Sequence, residues 1–291
     1  MLPERVTPRL TPLRNRRHRM DDGVKLQVDE LGPTDGQPLL FCHGFGQTRA
    51  AWRGTLVAMA ERGYRCIAYD MRGHGDSDWL PGGRYEIDQF HSDLLEIIAG
   101  LETTPVLVGA SMGGLIGLTA EGENDGPALF KALVLVDVTP RWEAAGVERI
   151  IDFMRSNPDG FASFDEAAAS IAVYLPHRSQ GKSPNRLRQL LVARPDGRLR
   201  WHWDPALLDM VSGNIHDHQP RLAAATKAIT TPILLVSGGA SDVVSNATID
   251  EFLILAPHAR HVCVPKATHM VVGDDNSAFT AEVCTFIASL D

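Results

Sequence analysis

The 291 residues contain only four cysteines, Cys42, Cys66, Cys263 and Cys284, and no C-x-x-C pair. A disulfide framework and a paired-thiol redox motif are therefore not expected. Cys42, Cys66 and Cys263 sit in apolar runs that read as strands. They suit buried small side chains in a reducing compartment, so a cytoplasmic location is expected. No stretch approaches the roughly 18 consecutive apolar residues of a membrane span, and no membrane partner is expected. Positive charge is scarce as well. Lys and Arg number 28 against 36 Asp and Glu, a formal charge of −8, which argues against nucleic-acid binding. The one basic cluster, Arg5 to Arg19, is accompanied by Pro3, Pro8 and Pro12 and precedes no apolar segment. It reads as a solvated arm over residues 1–20, not a secretory signal.

Hydrophobic residues make up 44% of the chain, enough for a sizeable core without metal or disulfide support. Short apolar runs predict strands at Val24–Val28, Pro38–Cys42, Arg65–Tyr69, Pro105–Gly109, Ala132–Val138, Pro232–Ser237 and His261–Val264. Runs such as Leu133-Val134-Leu135-Val136 are apolar throughout, as in strands covered by helices on both faces. Helical patterns alternate with them at Thr48–Arg62, Ile87–Gly100, Ser111–Glu121, Asn246–Leu255 and Ser277–Leu290. The order predicts an α/β fold with a doubly wound, mostly parallel sheet, its ligand crevice beyond the strand C-termini. Between Thr139 and Arg221 the rhythm breaks into helical pieces with no convincing strand. That segment, 139–221, reads as a helical cap inserted into a core of residues 21–138 and 222–291.

The chemistry centres on Gly109-Ala110-Ser111-Met112-Gly113. It follows a strand and opens a helix, the setting in which a serine is projected from a strained turn between small neighbours. A serine hydroxyl needs a base to take its proton. Of the eleven histidines, His269 lies just past the last predicted strand and returns to the sheet's C-terminal edge. For the acid that orients it, Asp242 follows the strand Pro232–Ser237 and completes the chain order Ser, Asp, His. Asp137, at the end of the preceding strand, is the alternative. An oxyanion needs two amide donors. Met112 supplies one, and Phe45 in His43-Gly44-Phe45-Gly46 the other.

These segments resemble the α/β-hydrolase superfamily, in its capped branch of esterases, cofactor-free haloperoxidase-like enzymes, epoxide hydrolases and dehalogenases. The resemblance rests on H-G-F-G at 43–46, D-M-R-G-H-G-D-S at 70–77, G-A-S-M-G-G at 109–114, and the surroundings of Asp242 and His269. It implies an eight-stranded sheet and a mainly structural role for Asp70, Arg72, Gly73, Gly75 and Ser77. Serine in place of an aspartate nucleophile argues against epoxide and haloalkane chemistry, and Ala110 departs from the Asn of many carbon–carbon hydrolases. The expectation is a serine carboxylesterase acting on a small, largely apolar ester through an acyl-enzyme, without cofactor. Alternatives on the same residues are a lactonase, a thioesterase, a ring-cleavage-product hydrolase, a perhydrolase or haloperoxidase-like enzyme, and a ligand receptor. Candidate substrate contacts are His43, Trp142, Trp201, Trp203 and Met270. His216-Asp217-His218 resembles a metal site only superficially, because a single spacer points the two imidazoles apart on a strand; no metal is expected. Oligomeric state is not readable.

Overall fold

The computed structural model describes residues 12–174, 187–188, 190–213, 218–274 and 276–290. Its strands are β1 (Arg14–Arg19), β2 (Lys25–Leu31), β3 (Pro38–Cys42), β4 (Arg65–Tyr69), β5 (Val106–Ala110), β6 (Ala132–Val136), β7 (Leu191–Ala193), β8 (Leu199–Trp201), β9 (Ile233–Gly238) and β10 (Arg260–Val264). Eight form one sheet in the order β1-β2-β4-β3-β5-β6-β9-β10. The pairs from β4 through β10 are parallel, while β1–β2 and β2–β4 are antiparallel.

Every residue of β3, β5 and β6 is buried, because alternate side chains enter two separate cores. Leu40, Leu107, Leu133 and Leu135 face one core, and Phe41, Val106, Val108 and Val134 the other. The first core is closed by α2 (Ile87–Ala99) and α3 (Met112–Gly122), through Phe90, Leu94, Ile116 and Leu118. The second is closed by α1 (Arg53–Ala60) and the C-terminal helix Asn276–Ala288, through Leu56, Met59, Phe279 and Val283. Helix α3 lies unusually close to the sheet. A Cβ on Gly113 would fall 2.5 Å from the Cys42 carbonyl oxygen, and one on Gly117 would fall 1.8 Å from Leu107 Cδ2. Glycine at those positions lets the helix start directly over the ends of β3 and β5.

The cap carries α4 (Ala144–Arg155), α5 (Phe164–Tyr174) and α6 (Leu207–Ser212). Four sequence expectations need correction. Residues 14–19 of the basic arm are strand β1, paired along its whole length with β2, and Arg14 binds Glu30 at 2.9 Å. A run of Arg, Asn and His at an exposed edge carries no apolar period, so nothing in the pattern announces a strand. The cap also holds a small hairpin, β7–β8, whose three-residue strands are too short for a readable alternation. Cys263 is exposed on the edge strand β10, unlike buried Cys42 and Cys66. The expected cap boundary at residue 221 falls inside α7 (Gln219–Ala228), which packs along α3.

The D-M-R-G-H-G-D-S segment after β4 is a polar knot beneath the site. Asp70 is fully buried and accepts from the Arg49 and Asp76 amides at 2.7 and 2.9 Å, with the Arg49 guanidinium on its other side. Arg72, 1% exposed, grips buried Asp93 with two bonds of 2.6 and 2.7 Å and reaches Asp22 at 2.9 Å. Burial pushes the Asp93 carboxyl up, and Arg72 opposes the shift. Replacing Arg72 by Met would strand that carboxylate, so we expect Arg72→Met to cost about 3–5 kcal/mol in urea unfolding. A loss below about 1 kcal/mol would show that the pair contributes only as a surface bridge does.

Candidate active site

Ser111 is the hinge between β5 and α3. Its φ of 46° lies in the left-handed region, which a side chain enters only when the surroundings hold it there. The hold comes from both sides: Ser111 N donates to the Val136 carbonyl at 3.1 Å, and the Ser111 carbonyl accepts from Gly114 and Leu115. The loop after β3 presses from above, so that a Cβ on Gly44 would sit 3.2 Å from Ser111 Cβ.

Asp137, immediately after β6, is the other non-glycine residue with positive φ among the described residues, at 48°. Its buried carboxylate meets three donors. Oδ1 accepts from Gly238 N at 2.7 Å, and Oδ2 accepts from Ser241 Oγ at 2.6 Å and faces His269 Nδ1 at 2.7 Å. A carboxylate here fixes the Nδ1–H tautomer and leaves Nε2 as the acceptor. The acid expected at this place from the sequence was Asp242, and the geometry corrects it. Asp242 turns toward the cap and pairs with Arg149 of α4; it makes no bond to His269. Its neighbour Ser241 is the one that faces inward, onto Asp137. The chain's turn at Asp137, with its positive φ, aims the carboxylate across the top of the sheet.

Phe45 and Met112, the two residues expected to supply amide donors, line the same cavity as Ser111. Among the described residues neither amide has a protein acceptor, and that of Met112 is a free N–H of the first helical turn. The Phe45 loop is held by two buried imidazoles. His43 Nε2 accepts from Met71 N at 3.0 Å, so its Nδ1 carries the proton and donates to Gly44 O at 2.8 Å. His74 Nε2 accepts from Gly46 N at 3.2 Å, so its Nδ1 donates to Arg72 O at 3.1 Å. His43 was expected to touch substrate; it is fully buried under the loop and lines no cavity at Ser111. Trp203 is corrected likewise. Only 2% exposed, it packs on the Phe45 ring at 5.1 Å and stays outside the cavities. His74 was not singled out by the sequence, although its place in the 70–77 motif was the available signal.

Two cavities meet at Ser111, sharing Phe45, Ile150 and His269. One, of about 150 Å³, runs beneath the cap along Met112, Leu115, Val138 and Trp142. The other, of about 90 Å³, enters the cap between Phe153, Tyr174, Trp201 and Met270. Of the expected substrate contacts, Trp142, Trp201 and Met270 thus line the cavities at Ser111. Among the described residues no cluster of three metal-ligating side chains occurs; His216 and Asp217 lie outside those residues.

The chain belongs to the alpha/beta hydrolase family, which it matches over residues 39–283. It is 32% identical over 253 residues to a 3-hydroxybutyrate-oligomer hydrolase of Cupriavidus necator, covering 81% of this chain and 84% of that one. A 2-(acetamidomethylene)succinate hydrolase of Mesorhizobium japonicum is 29% identical over 262 residues, 87% of this chain and 88% of the other. A crystal structure of E-2-(acetamidomethylene)succinate hydrolase superposes with a TM-score of 0.83 and 26% identity over 95% of this chain and all of the other. The class is therefore a hydrolase of ester or related bonds.

Burial pushes the pKa of His43 down and that of His74 well down, so both imidazoles are neutral in the folded protein. The unfolded chain binds protons at these residues once the pH falls below about 6.5, the folded chain only at lower pH. Stability is thus present above that value and is lost as the pH falls. In His74→Gln the amide oxygen can still accept from Gly46 but does not titrate. We expect urea titrations to show a shallower acid limb for His74→Gln, by up to about 1.4 kcal/mol per pH unit. Parallel limbs for variant and wild type would contradict the assignment.

Proposed function

We propose that the protein is a serine carboxylesterase in which Ser111 is the nucleophile, His269 the base and Asp137 the acid that orients it. The observation that carries the reading is the convergence of a strained serine and a carboxylate-bound imidazole on the same cavities. Ser111 Oγ attacks the acyl carbon as its proton passes to His269 Nε2. Negative charge gathers on the carbonyl oxygen and is met by the Phe45 and Met112 amides, aided by the N-terminus of α3. The tetrahedral adduct collapses, and the alcohol leaves with the proton from His269. Water then gives a proton to Nε2, its oxygen attacks the acyl-enzyme, and the acid departs as Ser111 regains its hydrogen. Asp137 keeps Nδ1 protonated and stabilises the imidazolium in both halves.

Two cavity arms suit an ester, with one side of the scissile bond in each, and their walls favour largely apolar groups. Support also comes from the Cupriavidus necator relative, named for hydrolysis of a hydroxyacid oligomer. A serine in the elbow argues against epoxide opening, and no observation favours a cofactor.

A fluorophosphonate should label Ser111, and a panel of p-nitrophenyl esters should be turned over repeatedly. Ser111→Ala should lower kcat by about 10⁶-fold without loss of folding. Turnover of a vinylogous diketone in the absence of any ester hydrolysis would contradict the reading, as would labelling without multiple turnover.

A further inference from the structure

The larger arm of the cavity is apolar along its length but not at its end. From Ser111 it follows α3 past Met112, Leu115 and Thr119, with Val138, Trp142 and Ile151 opposite. Its far end is built from three helices: His91 of α2, Thr119 of α3 and Arg221 of α7, with exposed His218 at the rim. The helical rise puts Thr119 about 12 Å along α3 from Ser111.

Those end groups are not used by anything else in the site. His91 Nε2 is buried and makes no well-formed hydrogen bond within the protein, although the backbone of Ile116 lies near the ring and Asp88 Oδ1 is 4.0 Å from Nδ1. A buried ring nitrogen left unpaired costs free energy, and a native structure keeps one where something completes it. Thr119 is buried; its hydroxyl donates to Leu115 O at 2.5 Å, which leaves its lone pairs to accept.

Charge then selects the kind of group. Arg221 is committed to the Glu123 carboxylate through two bonds, of 2.5 and 2.7 Å, and reaches Asp88 at 3.3 Å. Burial, and secondarily the charge of Arg221, keep the His91 imidazole neutral. One guanidinium against two carboxylates beside a neutral ring leaves no cation to receive an anion. A hydroxyl, able to donate and to accept at once, fits both His91 and Thr119.

Resting on the esterase reading, we propose that this arm takes a medium-length acyl chain whose far end bears a hydroxyl, read by His91 and Thr119. The preferred substrate class is then a hydroxyacyl ester, in preference to a plain fatty ester or the monoester of a dicarboxylic acid.

The test compares kcat/KM for the p-nitrophenyl esters of decanoic acid, ω-hydroxydecanoic acid and decanedioic acid (as its monoester) on wild-type protein. The hydroxyacyl ester should be favoured over the decanoyl ester by about tenfold or more, reflecting the unmade bond in the latter. The dicarboxylate monoester should be the poorest. His91→Leu should bring the hydroxyacyl-to-decanoyl ratio to unity or below, and His91→Gln should restore part of it. A wild-type preference for the decanoyl ester, or a ratio unchanged in folded His91→Leu, would overturn the inference. The wild-type comparison decides by itself if His91→Leu does not fold. Failure to hydrolyse any of the three esters, or shorter ones, would instead overturn the esterase reading.

Discussion

One hydrogen bond organises the upper face of the sheet, the 2.7 Å contact between the Asp137 carboxylate and His269 Nδ1. It joins the end of β6 to the loop after β10 across the intervening strand β9. The same carboxylate also receives Gly238 N and Ser241 Oγ, so the loop after β9 is tied down by the group that binds the imidazole. A carboxylate with this many donors is held in one orientation, which is what the proposed role of His269, first as base and then as acid, requires.

Backbone strain is concentrated at two of the residues proposed for the chemistry. Ser111 and Asp137 follow neighbouring parallel strands, β5 and β6, and both adopt positive φ. Strain of about 1–3 kcal/mol at each is held by the packed sheet below. The close seat of α3, permitted by Gly113 and Gly117, brings the Met112 amide to the same side as the Phe45 loop. Two neutral histidines then fix that loop from beneath. The residues that carry the polar motif around 70–77 thereby act on the site through the backbone of residues 43–46, without reaching the cavity.

Much of the architecture could be read from the chain, because its signals are local. Apolar runs such as Leu133–Val136 mark strands covered on both faces, and the glycines around Ser111 mark an elbow. What could not be read depends on direction. Asp137 and Asp242 both follow strands and both satisfy the order of serine, acid and base. Only the turn geometry sends one carboxylate to His269 and the other to Arg149. His43 and Trp203 belong to residue types common at binding sites, yet both support the loop from behind. The strand at Arg14–Arg19 was illegible because an exposed edge needs no apolar period.

The most direct test of the central claim compares Asp137→Asn with Asp242→Asn in steady-state ester hydrolysis, each variant first checked for folding. If Asp137 orients His269, its amide should lower kcat on the order of 10⁴-fold, because the imidazole loses the acceptor that sets its tautomer. Asp242→Asn removes only a partly exposed ion pair with the cap and should change kcat by less than about threefold. The larger loss falling on Asp242 would contradict the account.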